Sequence, residues 1–180
     1  MGKLKYPRVL FELRPSRAHK GGVGVFAVAS IAKGAVVAPG YDKKDLKQIV
    51  AWKCLKQFGK TFREKAVSHC IGTPYGFIPP KNLDFNSITL GWHFNHACDG
   101  NLGFDRQGNY VAIRRVRKDE ELTFDYGLYE TNPKFRLICS CGKNCRKIIT
   151  GNDWKKLLLD QKKAKHIFPF IAAFAAYPGK

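Results

Sequence analysis

Long apolar runs are absent from this 180-residue sequence, and acidic residues are few. The longest apolar run, residues 167–177, is interrupted by Pro169 and is shorter than the ~18 residues that a membrane-spanning helix needs. Residues 1–7 contain no apolar segment of the kind found in secretory signals. We therefore expect an intracellular protein with no membrane partner.

The shortage of acidic residues leaves a large positive charge. Lys and Arg number 32 against 14 Asp and Glu, so the formal net charge is +18. The lysines are concentrated in residues 43–65 and 143–165. Such an excess creates a field that favours DNA or another polyanion, through non-specific contact. A solvated basic surface without a specific partner has the same composition, so both interpretations stay open.

The sequence also has no internal repeat, linker or low-complexity tract, and its length suits a single domain. Apolar alternation and β-rich composition predict short strands at residues 9–13, 23–28, 31–38, 75–78, 109–114 and 122–126. Helical periodicity predicts helices at residues 42–57, with Asp42 as N-cap, and at 61–69 and 154–163. The aromatic run at 167–177 predicts a packed terminal helix. These elements indicate a mainly β domain with a helical insert and a helical C-terminal tail.

Three of the six cysteines lie within residues 139–145, too close to one another to pair comfortably. In a reducing compartment, clustered thiolates usually hold a metal ion. Cys54 and Cys70 stand alone, and we interpret both as buried or incidental thiols.

Two further motifs precede this cysteine cluster in a fixed order. NHACDGN occupies residues 95–101, and EELTFDYG occupies residues 120–127. Together with the cluster CSCGKNC at 139–145 and the upstream GVG at 22–24, they resemble the SET-domain protein-lysine methyltransferases with a post-SET zinc-binding motif. The resemblance extends over about residues 8–151.

The resemblance implies the SET-domain fold, in which small curved sheets surround a pseudoknot. The segment at 95–101 would tuck beneath the chain near Tyr126. The implied organisation is a SET domain at 8–130 with a variable helical insert at about 42–74, a post-SET zinc-binding segment at 135–151, and a helical C-terminal extension at 152–180.

The resemblance also implies an S-adenosylmethionine site. Gly22, Val23 and Gly24 would contact the methionine end of this methyl donor through main-chain groups, where glycine allows close approach. The Asn95 side chain would lie near the sulfonium, and the His96 backbone would lie near the adenine.

Tyr126 would be the catalytic residue and would also contact the methyl donor. The reaction is an in-line attack of a neutral lysine amine on the sulfonium methyl group, and a lysine of pKa ~10.4 must first lose a proton. A narrow apolar channel and the sulfonium charge lower that cost, while Tyr126 orients the amine and polarises the methyl group. Phe124 lacks the hydroxyl that in this family tends to restrict the product to monomethyl-lysine, so di- or trimethylation is expected.

Cys98, Cys139, Cys141 and Cys145 match the post-SET ligand pattern of a closed, structural zinc site. The spacing between Cys141 and Cys145 is one residue shorter than usual. Because Cys98 follows the implied cofactor residues, a bound zinc ion would clamp the tail over the methyl-donor site. Loss of zinc should therefore weaken both folding and activity.

The sequence thus predicts a protein-lysine N-methyltransferase acting on a histone tail or nucleosome, in the nucleus if the cell is eukaryotic and in the cytoplasm otherwise. One alternative is a methyltransferase of a ribosomal or other non-histone protein. Another is a non-catalytic chromatin-binding module, which the unusual Ala97 and Gly100 favour. The acidic residues at 119–121 are interpreted as a solvated turn or as a receiver of a lysine-rich peptide.

Overall fold

The computed structural model describes residues 10–176 apart from residues 20, 42 and 143. The predicted helix N-cap at Asp42 and the start of the first predicted strand at Val9 therefore lie outside the described residues. Among the described residues, no helix is both long enough and apolar enough to cross a membrane.

Short strands dominate the fold. They are β1 (Phe11–Pro15), β2 (Val23–Ala27), β3 (Val36–Ala38), β4 (Val50–Ala51), β5 (Ile71–Gly72), β6 (Gly76–Ile78), β7 (Asn95–His96), β8 (Leu102–Phe104), β9 (Tyr110–Ala112), β10 (Glu121–Phe124), β11 (Arg136–Ile138) and β12 (Ile148–Thr150). The α-helices are α1 (Lys60–His69), α2 (Asp153–Leu157), α3 (Gln161–Ala164) and α4 (Ile171–Ala176). Short 3₁₀ turns occupy Lys43–Gln48, Trp52–Gln57, Lys81–Leu83, Phe85–Ser87, Leu90–His93 and Tyr126–Leu128.

Among the described residues, these strands form three sheets. The largest has the order β1-β2-β10-β8-β9-β3, with β7 also paired to β10. A second sheet has the order β4-β6-β5, and β11 pairs with β12 alone. This mainly β architecture confirms the predicted fold class.

β10 positions the motif segments against one another. β7 runs parallel to it, with Asn95 opposite Thr123 and His96 opposite Phe124, and β8 pairs in parallel at the same Phe124. The intervening segment turns at Cys98 and Asp99 and passes close to β10 at Gly100, where a Cβ atom would lie 2.6 Å from the Phe124 Cα. The first motif is thereby packed against the chain just before Tyr126, as the resemblance predicted.

The prediction of one continuous helix at residues 42–57 was wrong. Two 3₁₀ turns stand there instead, separated by β4, because Val50 and Ala51 pair with Phe77 and Gly76 of β6. The second predicted insert helix is confirmed as α1.

The helix predicted at 154–163 is also divided. Asp160 accepts hydrogen bonds from the backbone N–H groups of Lys162 and Lys163 and so begins a new helix, α3, after α2 has ended.

The core is aromatic and includes the C-terminal residues. Phe104, Tyr110, Phe124, Phe168 and Phe174 are all 3% exposed or less. The rings of Phe168 and Phe174 stack at 5.0 Å, and the Phe168 N–H donates to the Leu128 carbonyl at 2.9 Å. The C-terminal extension therefore completes the core beneath the segment that carries Tyr126.

Candidate active site and metal centre

Two adjoining cavities, one broad and one narrow, lie where the motif segments meet. The broad cavity has a volume of about 1290 Å³ and is lined by residues that include Gly22, Val23, Asn95, His96 and Tyr126. The narrow cavity has a volume of about 50 Å³, and both Tyr126 and Phe124 line it. Tyr126 thus stands at the junction of the two cavities.

A buried carboxylate shapes the loop at residues 16–22, which borders the broad cavity. Glu121 is 7% exposed and accepts hydrogen bonds from the Ser16 hydroxyl at 2.7 Å and from the backbone N–H groups of Arg17 at 2.7 Å and Ala18 at 2.9 Å. The loop closes on itself through the Ser16 N–H and the Gly22 carbonyl at 2.8 Å. Glu121 therefore fixes the wall that contains the predicted methyl-donor loop.

Gly24 is required for this arrangement although it does not line the broad cavity. A Cβ atom at Gly24 would lie 2.3 Å from Glu121 Oε1. Gly22 does line the cavity, and a Cβ atom there would lie 2.5 Å from the His19 ring. Of the two glycines, only Gly22 faces the space that a ligand would fill.

Asn95 joins the same polar network. Its Nδ2 lies 2.8 Å from the Val23 carbonyl, 3.0 Å from the Ser16 hydroxyl and 3.0 Å from Glu121 Oε1. The parallel pairing of β7 with β10 places Asn95 in this network, because it sets Asn95 opposite Thr123, two residues after Glu121. The sequence-predicted residues Gly22, Val23 and Asn95 are therefore brought together on one wall.

His96 faces the other way, toward the cysteines. Its Nδ1 accepts a hydrogen bond from the Tyr126 N–H at 3.1 Å, and its Nε2 lies 3.4 Å from the Cys98 Sγ. Burial lowers the pKa of His96 to about 4, so the ring is neutral at physiological pH. Since Nδ1 is the acceptor, the single ring proton resides on Nε2 and points at Cys98.

The narrow cavity is an aromatic channel. Its walls include the rings of Tyr41, Trp92, Tyr110, Phe124 and Tyr129. The Phe124 ring centroid lies 5.0 Å from those of Tyr126 and Tyr129, and 5.3 Å from that of Tyr110. Such a channel suits a slender aliphatic chain that ends in an amine, because aromatic faces attract cations.

The Tyr126 hydroxyl has a defined direction. It donates a hydrogen bond to the Phe94 carbonyl at 3.0 Å, which leaves the oxygen lone pairs free to accept. Burial raises the pKa of Tyr126 far above its usual range, so the phenol keeps its proton at neutral pH.

A sulfur-rich cluster lies beside His96. The ligand atoms of His96, Cys98, Cys139 and Cys141 all lie within 4.8 Å of one another. Cys145 adjoins them, since its Sγ lies 3.1 Å from the Cys139 carbonyl. The β11–β12 hairpin brings these cysteines together, because Cys139 directly follows β11 and its N–H donates to Lys147 just before β12.

Backbone N–H groups point at the sulfur atoms. The Cys98 N–H donates to the Cys141 Sγ at 3.3 Å, the Arg146 N–H to the Cys98 Sγ at 3.4 Å, and the Lys147 N–H to the Cys145 Sγ at 3.3 Å. Such donors stabilise thiolates, and a tetrahedral zinc–thiolate site has sulfur atoms about 3.8 Å apart. The donor set therefore fits a metal ion.

Asp125 connects this cluster to the C-terminal extension. It is 3% exposed and forms ion pairs with Arg146 and, at 2.9 Å, with the Lys163 Nζ. Lys163 also donates to the Cys98 carbonyl at 2.6 Å. One carboxylate next to Tyr126 thus holds both the cysteine segment and α3 in place.

The interpretation of residues 119–121 as a solvated turn holds for Asp119, which lies half-exposed in a turn, and was wrong for Glu121. Asp119 pairs with Arg14 at 2.8 Å, and Glu120 pairs with Arg114 at 2.5 Å. Glu121 is buried beneath the loop at residues 16–22. Sequence reasoning also gave no role to Asp125 or to Glu130, a second buried carboxyl beside the channel. Nothing in the local pattern distinguishes these acids from surface acids.

The two cavities meet at a tyrosine beside a thiol-rich cluster, on small curled sheets. This arrangement agrees with the SET-domain family that the motifs indicated. The family model of the SET domain matches residues 22–127, which is more than half of the chain. The chain therefore belongs to the SET-domain family.

Among curated proteins, the chain is similar to histone-lysine N-methyltransferase 2D of Homo sapiens, with 36% identity over 63 residues. The protein of the same name in Mus musculus matches to the same extent. The alignment covers 31% of this chain, and the chain spans only 1% of the length of these relatives.

Proposed function

We propose that the chain is an S-adenosylmethionine-dependent protein-lysine N-methyltransferase. The observation that carries the proposal is the position of Tyr126, where an aromatic channel meets a cavity large enough for a nucleoside-containing ligand. Membership of the SET-domain family and the similarity to an enzyme named histone-lysine N-methyltransferase support the same reaction.

In this proposal the broad cavity takes S-adenosylmethionine, whose sulfonium supplies an activated methyl group. Main-chain groups of Gly22 and Val23 and the side chain of Asn95 hold its methionine end, and the His96 backbone lies at its adenine. Gly24 contributes indirectly, because its lack of a side chain leaves room for Glu121 beneath the loop.

The channel takes the substrate lysine. Since the Tyr126 hydroxyl donates its hydrogen bond to the Phe94 carbonyl, its oxygen is left to accept a hydrogen bond from an N–H of the incoming amine. This contact aims the nitrogen lone pair at the methyl group, and positioning of this kind supplies most of the rate enhancement. Tyr126 orients the amine and does not take its proton, because its own pKa is raised.

Phe124 sets the product in this proposal. The ring lies in the channel wall against Tyr126 and carries no hydroxyl that would hold a methylated amine or a water molecule. A monomethylated amine therefore has room to rotate and react again, and di- or trimethyl-lysine is the expected product.

We also propose that Cys98, Cys139, Cys141 and Cys145 hold a structural zinc ion. By distance alone His96 could also be a zinc ligand, because its ring lies within 4.8 Å of the sulfur atoms of Cys98, Cys139 and Cys141. However, its Nδ1 accepts the Tyr126 N–H, so its Nε2 carries the proton and donates to the Cys98 sulfur instead of ligating. The fourth place is thereby left to Cys145, and His96 links the metal centre to the backbone of Tyr126.

A basic tail bound to a polyanion is the proposed substrate. Exposed lysines of the insert include Lys53, Lys56, Lys60 and Lys65, and the net charge of +18 repels a free basic tail while attracting DNA. A histone tail on a nucleosome meets this requirement, and such a substrate would place the protein in a nucleus. Methylation of nucleosomes at low salt should then exceed that of free histones, and the excess should shrink as salt is added.

The test is methyl transfer from isotopically labelled S-adenosylmethionine by zinc-loaded protein to free histones, nucleosomes and whole-cell extract, with products identified by mass spectrometry. Replacing Tyr126 by Phe should lower the rate on the order of 100-fold, because the amine loses its orienting contact. The matched control is Tyr75→Phe, since Tyr75 is exposed and lines neither cavity.

Transfer to lysine by the wild type and the control, but not by Tyr126→Phe, supports the proposal. Equal rates for both variants would remove Tyr126 from catalysis. Absence of transfer, together with absence of S-adenosylmethionine binding, would favour the non-catalytic chromatin-binding module.

A further inference from the structure

Glu130 is a buried carboxyl group that the chemistry above does not use. It is 3% exposed and lines both the narrow channel and the broad cavity. In the part of the chain that the structure describes, no Lys, Arg or His lies within ion-pair distance of it. Lys65, His93 and Lys134 line the broad cavity but form no ion pair with it.

The partners of Glu130 fix its orientation without offsetting its charge. Oε2 accepts the Gly72 N–H at 3.1 Å, and Oε1 accepts the Asn132 N–H at 2.8 Å. These two neutral donors hold the carboxyl group between β5 and the segment that follows Tyr129. Ionisation of a buried carboxyl group without a cation is costly, so this site favours a ligand that brings a positive charge.

The channel holds few other groups that could take a proton from an amine. Burial raises the pKa values of Tyr110, Tyr126 and Tyr129, so these phenols stay protonated. Burial also raises the pKa of the Cys70 thiol to about 12.

The remaining titratable groups of the channel are Tyr41 and His69. Tyr41 offers only a phenol hydroxyl, which can donate or accept a hydrogen bond. Burial and the nearby Lys65 and His93 lower the pKa of His69 below its usual value, which makes it a poor acceptor.

We propose that Glu130 receives the ammonium group of the substrate lysine in the channel and accepts its proton before methyl transfer. The inference rests on the proposed function. The ammonium N–H bond breaks and an O–H bond forms on the carboxylate, which leaves a neutral amine and a neutral carboxylic acid. The amine lone pair then forms the N–CH₃ bond as the C–S bond breaks. The C–S electron pair stays on sulfur, and the positive charge passes to the product nitrogen.

Proton affinities support this assignment. Burial raises the pKa of Glu130 to about 8, against the opposing effect of the Asn132, Gly72 and Thr131 backbone N–H groups. A carboxyl group of this pKa is a much closer match to an amine of pKa ~10.4 than an ordinary Glu of about 4.3. Desolvation of the ammonium in the channel narrows the remaining gap.

The first experiment compares the pH dependence of kcat/KM for the wild type, Glu130→Gln and Glu130→Asp. Near pH 7.5 the Gln variant should be slower on the order of 100-fold, the usual contribution of a general base. The rate deficit of this variant should shrink as pH approaches the pKa of the free amine, because the substrate then supplies its own neutral form. The Asp variant should retain a pH profile of wild-type shape, although at a lower rate.

Two variants control for structure and for the alternative base. Thr131→Val removes a hydroxyl that donates to the Gly72 carbonyl at 3.4 Å, so it loosens the same contact between segments without removing a charge. His69→Gln removes the other basic group of the channel. Both should keep a pH profile of wild-type shape, whatever their absolute rates. A flattened profile in His69→Gln with a normal profile in Glu130→Gln would overturn the proposal.

A substrate with a less basic amine gives an independent measurement. Replacing the target lysine by aminoethylcysteine lowers the amine pKa, and the rate of Glu130→Gln should recover relative to the wild type. A deficit that is the same at every pH and for both amines would show that Glu130 acts only as a structural link, and the proposal would fall.

Binding separates this inference from the proposed function. A histone tail peptide with its single lysine replaced by norleucine should bind the wild type more weakly than the lysine peptide, and Glu130→Gln should lose that preference. If the wild type transfers no methyl group but keeps this preference, the methyltransferase function fails while Glu130 stands as the ammonium receptor. If the wild type shows no preference, the receptor assignment fails.

Discussion

Replacing Glu130 by Gln should give the protein a stability that increases relative to that of the wild type as pH rises. Glutamine keeps the shape of the side chain but cannot ionise. Burial raises the native-state pKa of Glu130 from 4.5 to about 8. A group whose pKa is raised on folding gives its full stability below its unfolded-state pKa, and this stability is lost as pH rises through the native-state pKa.

The size of the effect follows from the same shift. One pKa unit corresponds to about 1.36 kcal/mol. Linkage with these two pKa values gives a cost to the native state of about 2 kcal/mol at pH 6 and about 5 kcal/mol at pH 9. The Gln variant carries no such cost. Relative to the wild type, its free energy of unfolding should therefore rise by about 3 kcal/mol between these two pH values.

The assay is urea unfolding of zinc-loaded wild type, Glu130→Gln and Thr131→Val at several pH values between 6 and 9. Titration of the other groups is common to all three proteins and cancels in the differences. Thr131→Val should differ from the wild type by a constant amount. A constant difference for Glu130→Gln as well would refute the reasoning, because it would mean that the carboxyl group is solvated or paired with a cation in the native state.

Two further predictions test the parts of the fold that support the site. Replacing Phe174 by Ala should lower the free energy of unfolding by about 3–5 kcal/mol, because the ring is fully buried and stacks on Phe168. The measurement is chemical denaturation. A loss below about 1 kcal/mol would mean that α4 does not pack on the core. Treatment with a chelator should release one zinc ion per chain, lower the melting temperature and weaken S-adenosylmethionine binding. The three effects should occur together, since His96 joins the cluster to Tyr126. An unchanged melting temperature would exclude a structural zinc ion.

The motif residues could be located from the sequence because each motif is short and local. NHACDGN and EELTFDYG fall on β7 and β10, and the structure pairs these strands in parallel.

Helical periodicity failed to predict the structure of residues 42–57 for a physical reason. Val50 and Ala51 leave the helical pattern to pair with β6, about 25 residues further on, and no local signal predicts a two-residue strand. The break at Asp160 is different, because an Asp that follows an apolar run and precedes a lysine-rich segment is a readable helix-start signal.

The acidic residues were harder to interpret, because burial of a carboxylate depends on what the rest of the chain places opposite it. Glu121 is buried because the residue 16–18 loop brings N–H and hydroxyl donors to it. Those donors lie about 100 residues away along the chain, so the local pattern around EELTFDYG contains no trace of them. A sequence with 14 acidic residues against 32 basic ones leads naturally to the expectation that each acid is solvated or paired at the surface.

The three carboxyl groups around Tyr126 differ in how their charge is offset, and this difference assigns their roles. Glu121 is satisfied by neutral donors of a loop, so it fixes the wall of the broad cavity. Asp125 is paired with Arg146 and Lys163, so its charge is committed to joining the cysteine segment and α3. Glu130 has backbone donors but no cation among the described residues, and it alone of the three lines the aromatic channel. The partners of each carboxyl group therefore decide what that group can do. The one left without a cation is the one placed where a substrate would bring one.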